Sequence, residues 1–196
     1  MKGKRIVATT GMMIIMLVLG CQVFAGEELV IFSDSSLKGF SPSGWKGAHF
    51  EIVTSPAWNG SASALRIKMD EKVEPNPGVC FNTSKAENFI NISKFQESGG
   101  SLEFYINTSK PTTTDLIICL YNAAGEFEAT KKISISNYVK LDGDSATWQK
   151  VSIPLKDLTG KPYTQFSGML FRFSPPTASD VEFYLDEVKI ISGASK

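Results

Sequence analysis

Five side chains stand out for recognition chemistry without bond making. Trp45, Trp58, Tyr105 and Tyr121 each offer a rigid apolar ring with a polar handle, and Arg172 offers a planar cation. Rings of this kind stack on flat apolar faces, while a planar polar group beside them bonds a ligand's polar rim. The alternative for the tyrosines is packing beneath a loop with the hydroxyl satisfied. For Trp45 and Trp58 it is capping one end of a core.

Bond-making chemistry has less to stand on. The single histidine, His49, has no recognisable Ser or Cys nucleophile as a partner. No HExxH, GxSxG, P-loop or GxGxxG pattern occurs. Hydrolysis by a carboxylate pair needs only a set separation, which Glu103, Glu126, Glu128, Asp180 and Glu182 could reach only by chance of folding. The sequence is therefore read as having no catalytic residues. Asn59, Asn82, Asn91 and Asn107 each head a sequon, relevant only in a host that glycosylates. Cys80 and Cys119 lack CxxC or zinc spacing. Export would make a disulfide between them chemically feasible. The alternative is two free, small apolar residues in strands.

The elements that must position these residues are strands. Segments 101–107 (SLEFYIN), 115–122 (DLIICLYN), 147–155 (TWQKVSIPL), 168–174 (GMLFRFS) and 181–191 (VEFYLDEVKII) are rich in β-branched and aromatic residues. Further strands are expected at 28–32, 48–53, 62–69 and 78–82, with a Ser/Gly/Pro-rich loop at 33–44 and one helical turn near 90–95. No apolar pattern of period 3.6 is sustained, so the class is all-β: an antiparallel sandwich or jelly roll. Alternate side chains face opposite sides of a sheet. Leu102, Phe104 and Ile106 then face the core, and Tyr105 faces out. Met169, Phe171 and Phe173 face in, and Arg172 faces out. Both faces of 115–122 are apolar, so Ile117, Cys119 and Tyr121 are either covered by a loop or line a groove. Tyr105, Tyr121 and Arg172 form one platform if their strands share a sheet. Trp148 is expected to pack in the core or seal its edge.

The 196 residues hold 20 basic and 20 acidic side chains, interspersed, so no field points to nucleic acid or an acidic membrane. Lys2, Lys4 and Arg5 precede the apolar run 12–19, which reads as a bacterial export leader too short to span a bilayer as a helix. Val23-Phe24-Ala25 suits an ordinary signal peptidase, giving a leader over 1–25 and one domain over 26–196. Val18-Leu19-Gly20-Cys21 resembles a lipobox, which would end the leader at residue 20 and put a lipid on Cys21. The chain is thus expected outside the cytoplasm, free or lipid-anchored, with no transmembrane segment after residue 26.

Three stretches carry a resemblance: Asn91-Ile-Ser-Lys-Phe with Gly100-Ser-Leu-Glu-Phe-Tyr-Ile106, Thr147-Trp-Gln-Lys-Val-Ser-Ile-Pro-Leu155, and Phe183-Tyr-Leu-Asp-Glu-Val188. With the opening Val30-Ile-Phe-Ser-Asp, they resemble the galactose-binding-like β-sandwiches, among them carbohydrate-binding modules of secreted bacterial glycosidases. The resemblance implies a non-catalytic module that binds poly- or oligosaccharide through Tyr105, Tyr121, Arg172, Trp45 and Trp58. It also implies a structural calcium at Asp186, with Asp34 as partner, although Asp-Glu stands where relatives commonly double the aspartate. Members of this superfamily also bind proteins. A cell-envelope interaction or structural protein, meeting its partner through Ile117, Cys119 and Tyr121, is the alternative function.

Overall fold

Alternating apolar and polar residues set eleven strands among the described residues of the computed structural model: β1 (Glu28–Phe32), β2 (Ser41–Trp45), β3 (Ala48–Val53), β4 (Ala64–Met69), β5 (Gly78–Asn82), β6 (Ser101–Thr108), β7 (Asp115–Asn122), β8 (Ile133–Ser134), β9 (Gln149–Pro154), β10 (Phe166–Ser174) and β11 (Glu182–Ile191). The structure describes residues 26–34, 39–70, 74–83, 89–122, 130–144, 147–175 and 181–193. The leader over 1–25 with Cys21, and the acids Glu126, Glu128 and Asp180, lie outside the described residues. Two short helices, α1 (Ser93–Glu97) and α2 (Leu155–Leu158), close strand ends. No helix among the described residues is long and apolar enough to cross a membrane.

The strands form two antiparallel sheets. One runs β3-β4-β11-β6-β9, with β1 also on β11; the other runs β2-β5-β10-β7-β8. Their inner faces carry Leu65, Ile67, Phe104, Ile106, Val151, Phe183 and Leu185 against Phe81, Leu116, Ile118, Leu120, Met169 and Phe171, all essentially inaccessible to solvent. Phe104 of the first sheet meets Phe171 of the second edge-on, with ring centroids 5.8 Å apart, which ties the layers together.

Two expectations change, and one open alternative closes. Residues 41–45 form β2 rather than ending a loop. Pro42 has no N–H to give, and an edge strand tolerates that. Tyr105 stands on β6 and Tyr121 on β7, which belong to different sheets, so a shared platform with Arg172 does not form. Cys80 and Cys119 are free thiols. Each pairs in register with Leu170 from opposite sides. One intervening strand holds them about 9–10 Å apart, beyond the roughly 7 Å that a disulfide can bridge.

A bulge decides a fourth position. The register of β11 against β6 shifts between Asp186 and Lys189, and Glu187 takes φ 49°. Phe183 and Leu185 face the core, so Asp186 faces out by alternation, and the extra residue after it returns Val188 to the core.

Candidate functional site

Cross-strand register builds three rows on the outer face of the β2-β5-β10-β7-β8 sheet. Trp45, Gly78, Arg172 and Ile117 make one; Ser43, Cys80, Leu170 and Cys119 the next; Ser41, Asn82, Gly168 and Tyr121 the third. Cys80, Cys119 and Leu170 are buried as a second apolar cluster, with Trp45 and Tyr121 packed against it. The both-sided apolar character of β7 therefore serves a covered core inside and a groove floor outside.

Gly78 makes room for the tryptophan. A Cβ placed there would stand 2.7 Å from Trp45 Cζ2 and Cη2. The indole thus lies against the β5 backbone, and its Nε1–H donates to the Asn76 carbonyl at 2.9 Å. The groove it borders has a volume of about 450 Å³. Its floor is Ile117, Cys119 and Leu170, its rings are Trp45 and Tyr121, and its polar groups come from Lys46, Asn76, Lys132 and Arg172.

The Cys119 thiol in this floor is not a nucleophile. Burial pushes the Cys119 thiol up to about 11, against the pull of Arg172 and Lys132. Burial likewise pushes the Tyr121 hydroxyl well above its ordinary range, with Cys80 beside it adding to the effect. Ser43 Oγ and Cys80 Sγ lie 3.0 Å apart and share a hydrogen bond.

The opposite face holds the other aromatic residues. Trp58 stacks on Tyr105 with centroids 4.0 Å apart and planes 15° from parallel. Trp148 meets Trp58 edge-on at 6.4 Å. The loop carrying Trp58 is held down by two acids. Asp186 Oδ2 accepts the Trp58 N–H at 3.0 Å, and its Oδ1 accepts the Glu187 N–H at 2.8 Å and the Ser61 hydroxyl at 3.3 Å. Asp34 Oδ1 accepts the Ala62 N–H at 2.9 Å and, also at 2.9 Å, is the nearer of the two acceptors that share the single Ser61 hydroxyl proton. Burial raises the Asp186 carboxyl above the usual carboxylate range, opposed by the N–H groups of Trp58 and Glu187.

The Asp186 and Asp34 oxygens face N–H and O–H donors, with which a calcium ion at this place would have to compete. Among the described residues no group of three His, Cys, Asp or Glu side chains gathers to hold a metal.

The two candidate acids among the described residues, Glu103 and Glu182, are engaged elsewhere. Glu103 pairs with Lys150 at 2.7 Å. Glu182 accepts from the Tyr184 hydroxyl at 2.6 Å and lies 3.5 Å from Arg66. His49 pairs with Asp70 at 2.7 Å on the open surface.

The five expected residues thus divide: Trp45, Tyr121 and Arg172 share the groove, while Trp58 and Tyr105 clamp a loop on the other sheet. Trp148 faces outward, not into the core. Its signal was the inward parity of Val151 and Ile153, which turns 148 and 150 out together. Lys46, Asn76 and Lys132 carried no such signal, because loops and a two-residue strand place them.

No curated protein sequence matches the chain. A crystal structure of a family 30 carbohydrate binding module is 23% identical, covering 87% of this chain and 90% of that one, with a TM-score of 0.68. The family 30 module of a cellulosomal cellulase of Clostridium thermocellum is 22% identical, covering 86% and 99%, with a TM-score of 0.59. The family 11 module from Clostridium thermocellum, in complex with a β-1,3-1,4-mixed-linked tetrasaccharide, is 12% identical, covering 88% and 99%, with a TM-score of 0.57. These likenesses speak for the fold. The family pattern of carbohydrate binding domain 30 matches residues 28–192, and the chain therefore belongs to that family of non-catalytic carbohydrate-binding modules.

Proposed function

We propose that the groove on the β2-β5-β10-β7-β8 face holds one polysaccharide chain, and that the protein works by binding alone. The observation that carries this is the Trp45 ring, pinned by its Nε1–H and laid over Gly78 beside an apolar floor. A pyranose ring has an apolar face of C–H groups and a polar rim. Trp45 and Tyr121 meet the faces. Asn76 and Arg172 meet the rim, and Leu170 and Cys119 keep water from the floor. A ring already fixed in its bound orientation loses little conformational entropy on binding.

The substrate class is a β-linked glycan chain. The ligand named for the family 11 module and the cellulase that carries the family 30 module support this reading. The leader sequence supports export, which brings the module to extracellular polysaccharide.

Affinity electrophoresis and calorimetry with cellohexaose, mixed-linked β-glucan, xylan and mannan test the proposal. At least one β-linked glycan should bind, and Trp45→Ala should weaken it about tenfold, the scale of one aromatic contact. Binding that survives Trp45→Ala and Tyr121→Ala unchanged would remove the site from this face.

A further inference from the structure

We infer that this groove selects a glycan bearing an acidic group, a uronic acid whose carboxylate seats on Arg172; the inference rests on the polysaccharide reading of the same face. Three cations line the groove, Lys46, Lys132 and Arg172, and among the described residues no carboxylate lines it. The rest of the described surface is arranged otherwise. On the opposite face Arg66 pairs with Glu51 and Glu182, Lys150 with Glu103, and Lys189 with Glu28 and Glu187. The chain as a whole is neutral. Among the described residues Arg172 and Lys132 have no ion-pair partner, so the positive charge of this groove stands out from a balanced surface.

Position sharpens the point. Arg172 is half-buried, flanked in its row by Gly78 and Ile117, with Leu170 two residues along on the same face. A guanidinium partly withdrawn from water beside apolar neighbours is costly without a counter-charge. Lys46 is steadied by donating to the Pro75 carbonyl at 3.1 Å. The charges of Arg172 and Lys132 both act on the Cys119 thiol, so both reach the groove floor.

Hydrogen-bond chemistry agrees. Lysine and arginine side chains only donate. A neutral sugar presents hydroxyls that both donate and accept, and protein carboxylates ordinarily take their protons. Here the charged groups supply donors alone, which complements a group that only accepts. A carboxylate does so, and the planar guanidinium can meet it through two parallel bonds. The β-linked backbone lies over Trp45 and Tyr121, and the acid group points along the β10 row to Arg172.

The test uses a β-1,4-linked xylan oligosaccharide carrying glucuronic acid, and the same oligosaccharide after reduction of its carboxyl groups. Binding is measured by calorimetry at about 50 and 300 mM salt, a range over which screening of exposed charge grows. The acidic form should bind about tenfold more tightly at low salt, and the gap should shrink at high salt. Arg172→Gln, with its melting temperature checked, should erase the gap, weakening the acidic form far more than the reduced form. Equal binding of the two forms at both salts overturns the inference and leaves the polysaccharide reading standing. Failure of both forms, together with cellohexaose and mixed-linked β-glucan, overturns both. A third arm uses a sulfated oligosaccharide of similar length. Tighter binding there than to the uronate form would reassign the anion and overturn the carboxylate commitment.

Discussion

The indole of Trp45 rests on the backbone of Gly78, so closely that an added Cβ would stand 2.7 Å from two ring carbons and 2.7 Å from the Phe171 carbonyl oxygen. Gly78→Ala should therefore lift the ring and strain the β5–β10 pairing. The expected cost is about 1–3 kcal/mol of stability, typical of overpacking, together with weakened glycan binding. Trp45→Ala should weaken binding about as much while leaving the pairing intact. Denaturant melts beside calorimetry separate the two; equal melts for Gly78→Ala and wild type would show that the ring does not need that glycine.

Tyr105 and Tyr121 should part company. Tyr105 is covered by Trp58 at 4.0 Å, so Tyr105→Ala should cost about 2 kcal/mol of packing, on the scale of a lost aromatic contact plus buried area. At this chain length that is a fall in melting temperature of about 4–8 °C. Glycan affinity should not change. Tyr121→Ala should lose most binding and melt within a few degrees of wild type. The reverse assignment, with Tyr105→Ala losing affinity, would move the site to the other sheet.

Asp186 is a fully buried carboxylate that satisfies two backbone N–H groups and a hydroxyl. Asp186→Asn offers one acceptor oxygen in place of two and should cost about 1–3 kcal/mol. Because burial raises its folded pKa, its linkage contribution is present below the unfolded value of about 4. It is lost as pH rises through the folded value. The melting difference between wild type and Asp186→Asn should thus be largest near pH 3.5 and shrink toward pH 8. A difference that grew with pH would mean the ionised form is the favoured one. Excess calcium and chelator should give the same melting temperature, and a rise of several degrees with calcium would show a cation displacing these donors.

Cys80 and Cys119 should remain thiols in air. A thiol reagent should leave Cys119 unmodified in the folded protein, since it is 1% exposed and its thiol is held protonated. Both should react after denaturation, and reductant should not shift the melt. A mass deficit of two hydrogens would contradict the separation across β10.

Alternation along the chain is enough to name the inward residues of the main strands. Leu102, Phe104, Ile106, Val151, Ile153, Met169, Phe171 and Phe173 declare their side by alternation alone, because burial on one face of a pleated strand repeats every second residue. That was enough for an antiparallel sandwich and for the outward direction of Tyr105 and Arg172. It could not say which sheet each strand joins, because strand order depends on long-range pairing that no local pattern records. So Tyr105 and Tyr121, on consecutive strands and alike in parity, end on opposite sides of the molecule. The same holds for Cys80 and Cys119, which share a face but are separated by one strand. Asp186 shows the limit most plainly. Its surroundings depend on donors brought from 125 and 128 residues away and on the bulge that follows it at Glu187, so the acid that the resemblance offered to a metal also holds down a loop.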